Sequence, residues 1–381
     1  MHQKQLNLGI ITSPKGEAAT VPLSNLASIL NDLSDELHVI TAGSVSVLHK
    51  NELKTIRIHK IRYNTYSNTM AKVINHISVQ LKFSYMIIKL ARKVDVWFFF
   101  LEGHTLLLPV LTAKLLKKKE VFVLAASVIK GAEIHKGIFP KMLVFSENIG
   151  FNVSNKIVLY SKNLIHEWGL EKHKRKISIA HRHFVDFTKF MIKKRISERA
   201  NVVGYIGRFS EEKGILNLVK SISLVLNRRK DVCFVLCGEG ELSDEIRKII
   251  QRESLEAYVR LTGWISHADI PNFLNDFKLL VLPSYTEGLP NIMLEAMACG
   301  TPVLATQVGA IPDIIKDNET GFLLKSNDPK HITERTVELL NKPELLEKVS
   351  INAYNYVRAN FSYEKTLETW RRILQEIARV R

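Results

Sequence analysis

Leu279–Ala305 reads LLVLPSYTEGLPNIMLEAMACGTPVLA. Its first four residues, Leu279–Leu282, form an apolar run of strand length with no polar alternation, the mark of a strand covered on both faces. Pro283 ends the run, and a loop carrying Glu287 and Gly288 follows. Pro290 suits the first position of a helix over Pro290–Cys299, which Gly300 and Pro302 stop. A second apolar strand then reads at Pro302–Ala305. Strand, helix and strand in this order make a parallel βαβ unit.

The same plan runs outward in both directions. The second half reads further strands at Val202–Ile206, Val232–Cys237 and Val259–Thr262. Its other helices read near Ile215–Asn227, Ser243–Glu253, Asp269–Asn275 and Pro329–Asn341, with a helical tail over Glu344–Val380. The first half reads strands at Leu6–Ile11, His38–Ala42, Val94–Phe100, Val121–Ala125 and Lys156–Tyr160. Helices near Leu23–Leu33, Met70–Lys93 and Thr105–Lys118 separate them. The fold class is therefore α/β, with two doubly wound, Rossmann-like domains. They are expected at residues 1–188 and 189–362, facing across a cleft at the carboxyl ends of both sheets. The charged segment Lys189–Ala200 reads as the interdomain region.

Composition agrees. A chain of 381 residues suits two domains, and 46% apolar with 24% charged residues excludes intrinsic disorder, collagen and small disulfide scaffolds. The net charge of +16 is unevenly spread. Residues 1–200 hold 31 basic and 14 acidic side chains, and residues 201–381 hold 23 and 24. The first half should prefer an anionic partner. Three cysteines, Cys233, Cys237 and Cys299, suit a reducing compartment, with Cys233 and Cys237 read as buried strand residues rather than metal ligands. No secretory signal and no uncharged run of membrane-spanning length is read, so a cytoplasmic location is expected.

Three stretches of the second half carry chemistry. In Gly204–Gly214 (GYIGRFSEEKG), Gly207 allows a tight exit from a strand, and Arg208 and Lys213 stand on the loop that opens the next helix. Two cations at a strand-to-helix turn suit a diphosphate, although they equally suit pairing with Glu211 and Glu212 on a solvated loop. In the Glu287 loop, the backbone amides of Gly288, Leu289 and Asn291, around Pro290 at the helix start, suit an anion, with Glu287 beside them to accept from sugar hydroxyls. Glu295, eight residues on among apolar neighbours, could reach a ribose diol; the plain alternatives are a cap for Glu287 and a surface helix residue for Glu295. Gly238-Glu239-Gly240 after a strand is a weak glycine turn and no dinucleotide fingerprint. Gly263-Trp264-Ile265 ends another strand at the same edge.

In register, these motifs resemble the retaining, nucleotide-sugar-dependent glycosyltransferases of the GT-B fold often called family 4. The likeness rests on Gly207-Arg208, Glu212-Lys213-Gly214, Gly238-Glu239-Gly240, Gly263 and the E-x7-E block of Glu287 and Glu295. Gly309–Asp313 and Asn318–Phe322 continue it. The resemblance implies an enzyme moving a sugar from a nucleotide sugar, a UDP- or GDP-sugar, to a glycan, polysaccharide-precursor or lipid-linked acceptor. It implies that Arg208 and Lys213 hold the diphosphate, that Glu287 contacts the transferred sugar and that Glu295 binds the ribose. The base would lie near Trp264 and Ile265. No metal and no cofactor besides the donor substrate is implied. The first domain would bind the acceptor, and the final helix, 363–381, would pack back on it.

The first half departs from the family. Paired glycines often stand in its first strand-to-helix loop, where Thr12–Ala19 holds only Gly16. A His often follows the strand at Val121, where Ala125-Ala126-Ser127 stand. His104, in Leu101–Thr105, is the candidate replacement, with Glu102 and Gly16 on the acceptor side; a capping or buried His104 is the plain alternative. His181 and His183 read as structural or acceptor-side residues. Met70–Lys93 sets Val73, Ile74, Ile77, Leu81 and Ile88 on one face, with Lys72, Lys82, Lys89, Arg92 and Lys93 elsewhere. Alone this reads as a core-packing helix with solvated charges. With Lys117–Lys119 and Lys172–Lys176 it points to anionic lipid headgroups at the inner membrane face, or to a phosphorylated acceptor. Two other readings stay open. One is a non-catalytic glycosyltransferase-like subunit. The other is a nucleic-acid-binding protein, which no recognised motif supports and which is not expected.

Overall fold

The computed structural model describes residues 6–13, 20–42, 56–62, 69–101, 103–125 and 138–379. The chain falls into two units. Unit 1 runs to His183 and resumes at Thr366; unit 2 is Phe184–Lys365.

In unit 1 the elements are β1 (Leu6–Thr12), α1 (Thr20–Asp32), β2 (Ser34–Ala42), β3 (Ile56–Ile61), α2 (Thr69–Leu90), β4 (Val96–Phe100), α3 (Leu107–Leu115), β5 (Lys119–Val123), α4 (Ile138–Val153), β6 (Lys156–Leu159), α5 (Asn163–Glu167) and β7 (Ile177–Ile179). The seven strands form one parallel sheet in the order β3-β2-β1-β4-β5-β6-β7. The central strand β4, Val-Trp-Phe-Phe-Phe, is buried throughout, as a strand covered by helices on both faces must be. The sequence reading passed over β3 and β7. Both are edge strands: β3 is charged and half-exposed, with Arg57 pairing to Glu36 of β2, and β7 has three residues. It also passed over α4 and α5.

Unit 2 repeats the arrangement with β8 (Val202–Ile206), α6 (Ile215–Leu226), β9 (Cys233–Cys237), α7 (Ser243–Arg252), β10 (Val259–Gly263), α8 (Ile270–Asp276), β11 (Leu279–Leu282), α9 (Asn291–Ala298), β12 (Val303–Thr306), α10 (Ile311–Ile314), β13 (Phe322–Leu324), α11 (Pro329–Leu340) and α12 (Pro343–Phe361). Its six parallel strands run β10-β9-β8-β11-β12-β13. Strand order reverses between β8 and β11, and the loops leaving those two strands meet at their carboxyl ends, where the Tyr285 amide donates to the Glu212 carbonyl at 2.9 Å. The last helix, α13 (Tyr363–Arg379), contributes its residues from Thr366 onward to unit 1. There Trp370 is fully buried; its Nε1 donates to the His181 carbonyl at 2.8 Å and its ring tilts against Phe98.

Three expectations need correction. Lys189–Ala200, read as the interdomain region, lies inside unit 2: Ile196 is buried, Asn275 Oδ1 accepts from the Lys193 amide at 2.7 Å, and the buried Arg199 is woven into the same unit. Cys233 is exposed at the start of β9, while Cys237 and Cys299 are buried. Helix α2 also turns its other face inward. Val79, Phe83, Ile87 and Leu90 are buried, whereas Ile74, Ile77, Leu81 and Ile88 are exposed. Among the described residues no helix is long and apolar enough to cross a membrane.

Candidate functional site

The loop after β8 carries the two cations. Gly207 leaves the strand, its amide donating to the Cys237 carbonyl, and Glu211–Lys213 make one 3-10 turn before Gly214 and α6. Lys213 does not pair with Glu211. Its Nζ donates to both carboxylate oxygens of Glu287, at 2.8 and 2.9 Å, across 74 residues of sequence. The Glu287 side chain is 9% exposed and accepts a further bond from Ser284 Oγ at 2.7 Å. Arg208 stays 62% exposed, and among the described residues its guanidinium pairs with Glu212 alone, at 3.8 Å, which is too long for a firm pair. Ser210 Oγ donates to Glu212 at 2.6 Å, and this bond holds the Glu212 carboxyl below its usual range. Arg208 is therefore the loosely held cation and Lys213 the fixed one.

The loop after β11 supplies the carboxylate and the amides. Helix α9 begins at Asn291 with Pro290 as its N-cap, one residue later than the sequence suggested, and no side chain caps it. The amides of Gly288, Leu289 and Asn291 have no acceptor among the described residues. Unfilled amides beside a helix start attract an anion. The loop's shape depends on Gly309. At φ +58 it lies so close to Glu287 that a Cβ would stand 2.0 Å from the Glu287 carbonyl oxygen. The Ala310 amide donates to the Gly288 carbonyl at 2.9 Å and pins the same turn.

At the neighbouring strand ends, Arg208, Glu239, Gly240, Ser243, Arg247 and Trp264 line a groove of about 590 Å³. Gly238, at φ +144, lets the turns after β8 and β9 touch; a Cβ there would meet the Gly207 carbonyl at 1.9 Å. Trp264 is 77% exposed and offers an open ring face to a planar base. Ile265 follows it, half-buried.

Glu295, in α9, has a side chain 13% exposed and is neither uncapped surface nor unpaired. Its Oε1 meets His267 Nε2 at 2.9 Å. The bond to Glu295, outweighing burial, raises the His267 pKa above 6.5. Because the folded value is the higher one, the pair contributes its stability below the ordinary histidine pKa and loses it as pH rises through the folded value. In an NMR pH titration the His267 ring should titrate above 6.5, and Glu295→Gln should bring it down. An unchanged midpoint in that variant would show that the contact is incidental.

Sequence reasoning named Arg208, Lys213, Glu287, Glu239, Trp264 and Glu295 but missed three partners. Ser284 stands three residues before Glu287, a visible spacing. His267 and Arg247 carried no local signal. In unit 1, Gly16, Glu102 and Ala126-Ser127 lie outside the described residues, and the backbone of His104 lies in a 3-10 turn over Gly103–Thr105. His183 is buried in that unit and His181 half-buried. Burial pushes His181 down to about 4 and His183 well below the usual value, so both are neutral, while Arg182 between them stacks over Phe100 at 5.4 Å.

Two parallel, doubly wound sheets, one in each unit, are the architecture of the GT-B fold. More particularly, residues 186–356 match the family described as Glycosyl transferases group 1. The chain is 30% identical over 174 residues to an uncharacterised glycosyltransferase of Methanocaldococcus jannaschii, covering 46% of this chain and 48% of the relative. The aligned part thus spans about half the length of the first curated relatives. The N-acetyl-alpha-D-glucosaminyl L-malate synthase of Bacillus anthracis aligns over 98% of both chains at 24% identity. Among solved structures, Anabaena HepE in complex with UDP superposes with a TM-score of 0.78, over 97% of this chain and 100% of that one, at 16% identity. HepE has also been solved with UDP-glucose.

Proposed function

We propose that the chain transfers a sugar, with retention at the anomeric carbon, from a nucleotide-sugar donor held by unit 2 to a glycan, polysaccharide-precursor or lipid-linked acceptor bound by unit 1. The observation that carries this reading is the Lys213–Glu287 pair set beside unfilled amides at the start of α9. The HepE complexes with UDP and UDP-glucose favour a UDP-sugar over a GDP-sugar as donor.

Each part has a task. Lys213 Nζ spends two of its three N–H bonds on Glu287 and keeps one for a phosphate oxygen. Arg208, exposed and loosely held, can swing its fork onto the same diphosphate. Negative charge grows on the leaving diphosphate as the glycosidic bond breaks, and these protein cations stabilise it where a divalent metal would otherwise serve. The amides of Gly288, Leu289 and Asn291 add fixed donors. Glu287, oriented by Ser284 and Lys213, accepts from a sugar hydroxyl. Glu295 Oε2 remains for the ribose diol, and Trp264 with Ile265 faces the base. We place the work in the cytoplasm, at the inner face of the membrane.

Calorimetric titration with UDP, GDP and ADP tests the donor site. UDP should bind, and Arg208→Ala should weaken it about 10- to 100-fold, the worth of a charge-assisted pair. Binding of none of the three nucleotides would sink the reading.

A further inference from the structure

Helix α2 is apolar on two faces. Its inner face, Val79, Phe83, Ile87 and Leu90, packs in the unit 1 core. Its outer face carries Met70, Ile74, Ile77, Leu81, Tyr85 and Ile88, at spacings of 4, 3, 4, 4 and 3 residues and between 46% and 67% exposed. These spacings hold one stripe along the helix over 18 residues, about 27 Å at the usual helical rise. Six large apolar side chains in a line exceed the scattered single exposures that folded proteins tolerate.

The charge around the stripe says what covers it. Residues 69–90 contain no Asp or Glu. Lys82 and Lys89 flank the stripe on the helix, and both are exposed. Beside its middle, a groove of about 500 Å³ sets Lys60 and Arg62 of the β3 end against Leu81, Lys82 and Tyr85. Apolar side chains in a row, rimmed by these cations, are complementary to acyl chains beneath anionic headgroups. A second copy of this chain is a poorer occupant. A two-fold contact through the stripe would set Lys60, Arg62, Lys82 and Lys89 against their own equivalents with no acidic partner on the helix.

We propose that α2 is the element by which unit 1 docks on an anionic membrane, its outer stripe entering the headgroup boundary and Lys60, Arg62, Lys82 and Lys89 meeting lipid phosphates. This deepens the membrane placement proposed above and rests on it. It does not depend on the donor site, whose residues lie in unit 2.

Flotation of the full chain with phosphatidylcholine vesicles, with and without 30 mol% phosphatidylglycerol, tests it. The wild type should float with the anionic vesicles and not the neutral ones, and rising salt should release it. Lys82→Gln and Lys89→Gln should each lower partitioning roughly fivefold at low salt, the worth of one basic residue near the surface. Ile77→Ser combined with Leu81→Ser should lower it at least tenfold. These positions face solvent, and a unit 1 melting transition left in place in calorimetry serves as the control that the variants are folded. Equal flotation with both vesicle types, or stripe variants that float as the wild type does, would overturn the proposal. So would a wild-type dimer in sedimentation velocity that the stripe variants dissociate without any vesicle binding. If flotation fails while UDP binds, the docking falls and the transferase reading stands; the converse result would separate them the other way.

Discussion

Lys213→Ala is expected to cut turnover about a thousandfold while unit 2 remains folded, the usual cost of removing a group aimed at charge that develops in the transition state. Lys213 is the one cation of the donor loop with a fixed direction, because both oxygens of Glu287 hold it at 2.8 and 2.9 Å. A diphosphate entering beside it meets an ammonium already oriented, so little reorganisation remains when charge builds on the leaving group. Arg208 has no such anchor, and its loss should fall more on donor affinity. Removing Lys213 leaves the nearly buried Glu287 with Ser284 as its remaining partner, a local cost of about 1–3 kcal/mol that the unit can bear. Steady-state kinetics with the donor identified by calorimetry would check the result. If Lys213→Ala raises KM and leaves kcat within threefold of wild type, the lysine binds ground state and transition state alike, and its assigned role is wrong. Glu287→Gln is the companion variant. It keeps the shape but frees the ammonium, and should lower kcat through lost orientation of both groups.

The loops that build this site were legible because they carry their own punctuation. Gly207, Gly214, Pro283, Pro290 and Gly300 mark where β8, α6, β11 and α9 begin or end, and the charged residues fall between the marks. The partners were less legible. Lys213 was weighed against its neighbours Glu211 and Glu212, yet it meets Glu287 in the loop after β11, because the strand order brings those two loops together. Residue spacing along the chain carries no such information. His267 finds Glu295 because α8, which begins just after it, packs against α9. Edge strands β3, β7 and β13 escaped notice since they are short or charged and lack the uniform apolar run of a covered strand. Helix α2 shows another limit. Periodicity identified one apolar face correctly, but a helix with two apolar faces leaves open which one the core takes. The core took Val79, Phe83, Ile87 and Leu90, and the stripe at Ile74–Ile88 stayed outside.

Arg199 should prove the most damaging single position for stability in unit 2. Arg199 is 4% exposed, and no carboxylate among the described residues pairs with it directly; burial lowers its pKa to about 10, still far above neutrality. Its charge is instead spread over acceptors. Nε and Nη2 donate to the Lys194 carbonyl, Nη1 to the carbonyls of Leu274 and Phe277 and to Thr301 Oγ1, and Nη2 also to the Cys299 carbonyl. These acceptors belong to the 189–200 segment, the end of α8 and the end of α9, so one guanidinium ties three pieces of chain. Arg199→Met keeps much of the volume but strips the donors from several buried carbonyls at once. A loss of about 3–5 kcal/mol follows, on the scale of breaking one side of a buried charged network. For a unit of this size that is a fall of roughly 10 °C in Tm. Arg199→Lys should recover little of it, because a single ammonium cannot reach acceptors on three sides. Calorimetry of the full chain should show the unit 2 transition moved and the unit 1 transition in place. A shift below about 2 °C would mean that water satisfies these carbonyls as well as Arg199 does. The same contact bears on the site. Cys299 and Thr301 close the helix whose other end presents the Gly288–Asn291 amides, so loosening Arg199 should also weaken UDP binding well below the melting temperature.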